Sequence, residues 1–131
     1  MENAVLTLET KKDPTTAGAA LRDAIMSRGF GVVAVHDLRE TMAKKGVDLG
    51  RACDIYEVCN PHQAKQVLDS DMSISSALPC RISVYEEDGK TRLSTILPSL
   101  LLSVFGREDL ATVAEEVSVV IQDSLHEVVN G

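Results

Sequence analysis

Apolar and polar residues alternate loosely over positions 3–8, with Val5, Leu6 and Leu8 set among Asn and Thr, a pattern that predicts a first β-strand. The period then changes. Ala17, Ala20, Leu21, Ala24 and Ile25 recur at helical spacing, so one stripe of a helix is apolar and faces a sheet. Asp13 is placed as its N-cap, and Pro14 takes the first helical position, where a missing N–H does no harm. Gly29 ends it as a left-handed C-cap, with Phe30 set to pack back on Ile25. Residues 30–36 are a short, nearly continuous apolar run bounded by Gly and Asp, which predicts a central strand. Asp37 and Glu40 stand at capping-box spacing and open a short helix that Gly46 closes, with Lys44 and Lys45 in its last turn, where cations suit the helix dipole.

A third strand is predicted over residues 51–59, running directly into Asn60-Pro61, a second N-cap followed by Pro at the first helical position. Gln63 stands where a capping box places its returning partner, and Ala64, Val67 and Leu68 supply a short apolar stripe. Residues 80–86 and 91–97 then read as a hairpin, joined through Asp88-Gly89 as the turn chemistry. Alternation puts Cys80, Ile82 and Val84 on one face of it and Arg81, Ser83 and Tyr85 on the other. Residues 98–106 are an apolar turn or short helix packing across an open end. The segment 108–129 carries the strongest helical pattern, from Leu110 and Val113 to Leu125 and Val128, and at about 1.5 Å per residue it spans roughly 30 Å. The order is strand, helix, strand, short helix, strand, helix, hairpin, long helix. It predicts one α+β domain over residues 1–131: a two-layer sandwich of a mainly antiparallel five-stranded sheet with helices on one face.

Composition narrows the function classes. Only 3% of the 131 residues are aromatic and none is Trp, so few rings are available to stack bases. The formal charge is −7, which repels phosphate backbones and anionic lipid surfaces. Neither nucleic acid nor a membrane is an expected partner, and with no basic region followed by an apolar run near Met1 the expected location is cytoplasmic. Three cysteines in such a chain favour reduced thiols over a disulfide framework.

All three cysteines lie between Arg51 and Arg81. Cys53 and Cys59 are six positions apart, about 20 Å along one strand, beyond the reach of a disulfide. Cys59 and Cys80 come to the same end of the sheet if the strands form an antiparallel meander. Cys59 also precedes a helix N-terminus, where amides and the dipole can lower a thiol pKa. Against that reactive reading stands burial, because free Cys behaves as a small apolar residue and Cys80 shares its face with Ile82 and Val84. Cys59, His62 and Cys80 fall short of the four ligands of a structural zinc site, the helix phase turns His62 outward, and no metal is expected. His36 and Asp37 are strand neighbours pointing to opposite faces. Glu57 falls on the face of Ile55 and Cys59, where a partly buried carboxylate is a candidate for perturbed titration. No phosphate loop, dinucleotide fingerprint or Gly-x-Ser-x-Gly elbow is present, so no cofactor is indicated and an enzymatic reading has no assembled motif.

Taken together, the Cys59-Asn60-Pro61 helix start, the Leu78-Pro79-Cys80 strand start, the Val84-Tyr85-Glu86 strand, the following Ile96-Leu97-Pro98 segment and the Gly29 to Val33 strand entry resemble the bacterial and archaeal family called domain of unknown function 302. The resemblance covers nearly the whole chain. It implies a fold similar to the TATA-binding-protein-like class, a curved antiparallel sheet gripped by a long C-terminal helix, and a homodimer; it implies no activity. The positions it carries over are Cys59, Asn60, Pro61, Leu78, Pro79 and Cys80. Two functions follow as expectations. The first is a non-enzymatic small-ligand-binding or protein-interaction domain with an apolar cavity near Cys59 and Cys80. The second is a thiol-dependent redox protein with Cys59 as nucleophile and Cys80 as resolving cysteine.

Overall fold

Asp13 and Pro14 start the first helix in the computed structural model, which describes residues 5–131. Asp13 Oδ1 accepts the Thr16 amide at 2.8 Å and Oδ2 the Thr16 hydroxyl at 3.1 Å, and these bonds hold its carboxyl below the usual range. Helix α1 runs Pro14–Ser27. It ends as the sequence predicts: Gly29 takes φ +82°, its amide donates to Met26 O, and the Phe30 amide reaches back to Ile25 O. Those two bonds are the Schellman pair, and they return Phe30 to the core cluster that holds Ile25.

Five strands make one antiparallel sheet: β1 Val5–Thr10, β2 Gly31–Asp37, β3 Cys53–Cys59, β4 Cys80–Glu87 and β5 Lys90–Ile96. Residues 3 and 4 of the expected first strand lie outside the described residues. The order is β1-β5-β4-β3-β2, so β2 to β5 form a meander and β1 adds to the free side of β5. Asp88 and Gly89 both take positive φ between β4 and β5, the conformation of a two-residue hairpin turn.

The apolar run 30–36 is an edge strand, not the central one its composition predicts. The centre belongs to β4, whose two hydrogen-bonding sides are taken by β3 and β5. On β2 the register slips between Val32 and Ala34, and Val33 and Val35 are 62% and 41% exposed. An apolar run reports affinity for a sheet but not the number of neighbours, and the bulge is one of the devices that blunt an edge.

Helices α1 and α5, the latter Ala111–Asn130, cover one face of the sheet, packing on Tyr56, Val58, Ile82, Val84 and Leu93. The expected helix over 108–129 begins instead with a 3-10 turn at Glu108–Leu110. Helix α2, Leu38–Ala43, is capped by Asp37 as predicted but stops before Lys44, which is its C-cap and lies 3.7 Å from Glu40. Helix α3 is Pro61–Ser70, a 3-10 turn follows at Met72–Ala77, and α4 is Pro98–Val104. These last elements meet α5 in a second apolar cluster built on Val67, Ile74, Leu102, Val113 and Ala114, and Leu78 touches both clusters. The other face of the sheet carries polar side chains that bond one another. There Tyr85 Oη and Thr7 Oγ1 both bond Ser94 Oγ, at 2.8 and 2.9 Å, and Arg92 pairs with Glu87 and Glu9.

Candidate functional site

The seam between the two apolar clusters is where the cysteine motifs meet. Strand β3 ends at Cys59, and Asn60 turns the chain into α3 by accepting the His62 amide at 3.0 Å and the Gln63 amide at 3.2 Å on Oδ1, while its carbonyl accepts the Ala64 amide. Strand β4 opens at Cys80, directly across from Val58. The two cysteine motifs thus arrive at one end of the sheet, as the meander requires.

Between them lies an apolar cavity of about 60 Å³. Cys59, Asn60, Leu78, Pro79 and Cys80 line it. Phe30 and Val58 close it from the sheet side, and Leu102 and Ala114 from α4 and α5. Pro61 starts α3 without entering the lining. Glu57 also stays away, held on the open sheet face by His36 Nε2 at 3.1 Å and Arg81 Nη2 at 3.2 Å, with its side chain 14% exposed. His36 thus finds a cross-strand carboxylate that its chain neighbours do not announce, while Asp37 faces α2 as its cap. Cys53 lies with Ser83, 3.9 Å from its hydroxyl, and His62 is exposed; neither lines the cavity.

The thiols do not have the electrostatics of nucleophiles. Burial pushes Cys80 up to about 11, with the Cys59 thiol adding to the effect, and burial raises Cys59 as well. The lowering expected for Cys59 at a helix mouth is absent for a structural reason: the amides of His62 and Gln63 are spent on Asn60 Oδ1, in the same chain segment. All three cysteines are free. Both cavity thiols are therefore protonated at neutral pH, weak donors set in an apolar wall.

Gln63 departs furthest from its predicted role. It does not reach back to Asn60; its Nε2 donates to Glu116 Oε2 of α5 at 3.2 Å, and its Oε1 is buried without a partner. No local signal could have shown this, because Glu116 is far along the chain. The lining from α4 and α5 was equally unreadable, since those residues appear only as helix stripes. Among the described residues no group of three or more His, Cys, Asp or Glu side chains could hold a metal ion, and no helix is long and apolar enough to cross a membrane.

The family model described as Domain of unknown function DUF302 matches residues 6–128. Among solved structures, the chain is similar to the crystal structure of an uncharacterized conserved protein DUF302 from Bacillus stearothermophilus. It is 25% identical, with a TM-score of 0.91 over 96% of this chain and 98% of that one. No curated protein matches the chain.

Proposed function

The chain belongs to the DUF302 family, and on that premise we propose that it is a non-enzymatic binding domain that takes a small molecule into the cavity beside Cys59 and Cys80. The observation that carries this reading is the unfilled apolar space itself. Protein interiors pack as densely as organic crystals, and voids larger than a water molecule are few. Here an apolar pocket, half open to the surface, lies at the meeting point of both cysteine motifs, walled by Phe30, Val58, Leu78 and Ala114.

Its chemistry fits holding better than reacting. The thiols keep their protons, because burial raises both. The redox alternative needs a thiolate at Cys59, and the Asn60 cap has taken the amides that would stabilise one.

Xenon is a direct test, because dry apolar cavities take it up. Under xenon pressure, amide resonances around Val58, Cys80 and Ala114 are expected to shift in a saturable way while the open sheet face stays still. If those resonances do not respond, the cavity does not accept a guest and the reading falls. Alkylation at neutral pH separates the alternative: rapid labelling of Cys59 in the native protein would favour the thiol chemistry instead.

A further inference from the structure

The pocket at the cysteine motifs offers a guest apolar contact and little else. Its wall is made of side chains such as Phe30, Val58, Leu78, Leu102 and Val117. The polar groups around it are engaged or out of reach. Asn60 Oδ1 accepts the α3 amides of His62 and Gln63, Gln63 Nε2 donates to Glu116 Oε2 at 3.2 Å, and Gln63 Oε1 is buried too deeply for a guest to touch. The protonated thiols of Cys59 and Cys80 are weak donors. A hydroxyl, an amide or a charge drawn into this space would lose its water and gain no partner. What enters is therefore hydrocarbon.

Size and openness decide its form. A dry cavity that holds benzene measures about 150 Å³, and this one is about 60 Å³. A ring is too large, and about two or three carbons of a straight chain fill the space. Three carbons alone make a poor ligand: at the best efficiency known for tiny molecules they bind no tighter than about millimolar. The pocket is half open to the surface, however, so a longer molecule can seat its end inside and leave the rest in solvent. That remainder meets acidic surroundings, because the chain carries a formal charge of −7 and the exposed carboxylate of Glu116 is bonded to Gln63 in the wall. An anionic remainder is disfavoured.

We infer that the ligand is an amphiphile with a straight, saturated hydrocarbon end, which the pocket takes in, and a neutral or cationic remainder, which stays outside. This rests on the cavity-binding reading and adds to it the class of molecule bound. Selection is by the shape and length of the chain.

Straight-chain alkylammonium ions from propyl to octyl, each below its aggregation concentration, can be titrated into the protein and followed by amide resonances, with xenon as the apolar reference. Each added methylene should tighten binding about fourfold while the chain is filling the pocket, and the gain should level off once further carbons lie in solvent. The 3,3-dimethylbutylammonium ion has the carbon count of hexylammonium but a branched end, and should bind about tenfold more weakly. Hexanoate should also bind more weakly than hexylammonium. Val117→Ala widens the wall and keeps a good helix former on α5; it should move the levelling-off to a longer chain. Equal binding of the straight and branched ions by the wild type, or hexanoate bound as tightly as hexylammonium, with xenon still taken up, overturns the inference and leaves the cavity reading standing. An unchanged chain-length profile in Val117→Ala does the same, since it places the chain outside the pocket. A wild type that takes up neither xenon nor any chain overturns both. Should Val117→Ala fail to fold, the straight and branched ions on the wild type decide.

Discussion

The Tyr56 hydroxyl stands over Gly18 of α1 so closely that a Cβ at Gly18 would come within 1.9 Å of it and within 2.9 Å of Cζ. Gly18 and Tyr56 are both buried, one on the helix face and one on the sheet face that it covers. A glycine in mid-helix lowers helix propensity by about 1 kcal/mol relative to Ala, and at position 18 it leaves room for the Tyr56 hydroxyl.

Gly18→Ala is therefore expected to destabilise, by about 1–3 kcal/mol from overpacking, in spite of the better propensity of Ala. Tyr56→Phe in the same chain should recover part of the loss, because the nearest atom is then the ring carbon. Urea midpoints for the four proteins of this cycle give the coupling. A Gly18→Ala protein more stable than the wild type would show that α1 can ride up on the sheet freely.

Cys80 makes a prediction in alkali. Its folded value of about 11 lies above the ordinary 9.0. Between those values the unfolded thiol has lost its proton and the folded one keeps it. The unfolded state then binds fewer protons, and stability falls as pH rises, by about 2–3 kcal/mol across the window. Below pH 9 the contribution is fully present. Cys80→Val should remove this part of the slope, so the wild type and the variant converge or cross as urea unfolding is repeated from pH 8 to 11. Parallel curves would mean that the thiol ionises without hindrance in the fold.

How far these relationships could be read from sequence depends on their range. Asp13, Asn60 and Gly29 act within three or four residues of themselves, and their caps were legible because side chain, amide and turn are all local. The hairpin from Cys80 to Ile96 was legible for the same reason, and alternation correctly separated Ile82 from Arg81. The position of β2 at the edge was not, since apolar content says nothing about how many neighbours a strand has. Of the site, Cys59 and Cys80 were placed together by topology alone. Gln63 was misread because its local pattern offered a plausible partner in Asn60, while the real one, Glu116, is 53 positions away. For Cys59 the sequence left a lowered thiol and a buried one both open; burial raises it, and the amides of His62 and Gln63 are taken by the Asn60 N-cap.

Asn60 tests that last point. Asn60→Ala removes the acceptor for two α3 amides and should cost about 1 kcal/mol, whereas Asn60→Asp should keep most of the stability by capping in the same way. The freed amides in Asn60→Ala should also bring the Cys59 thiol down, seen as faster alkylation of Cys59 at a given pH than in the wild type. Equal alkylation rates in a folded Asn60→Ala protein would show that burial alone governs this thiol.

Ala114 asks whether the cavity is a packing accident. It sits on α5 in the cavity wall, 3% exposed, and Ala114→Val adds two methyl groups toward a space of about 60 Å³. Burying them contributes about 1.5 kcal/mol, set against about 0.5 kcal/mol for a β-branched residue in a helix. The variant is therefore expected to gain about 1 kcal/mol in urea unfolding and to lose xenon uptake. That combination would mean that a single ordinary substitution both stabilises the fold and closes the cavity. Packing would then not be what keeps the space open, and binding would be the remaining reason for an alanine there. A destabilised Ala114→Val protein would instead show that the wall at Ala114 is already tight, and that the accessible part of the cavity lies toward Gln63 and Leu78.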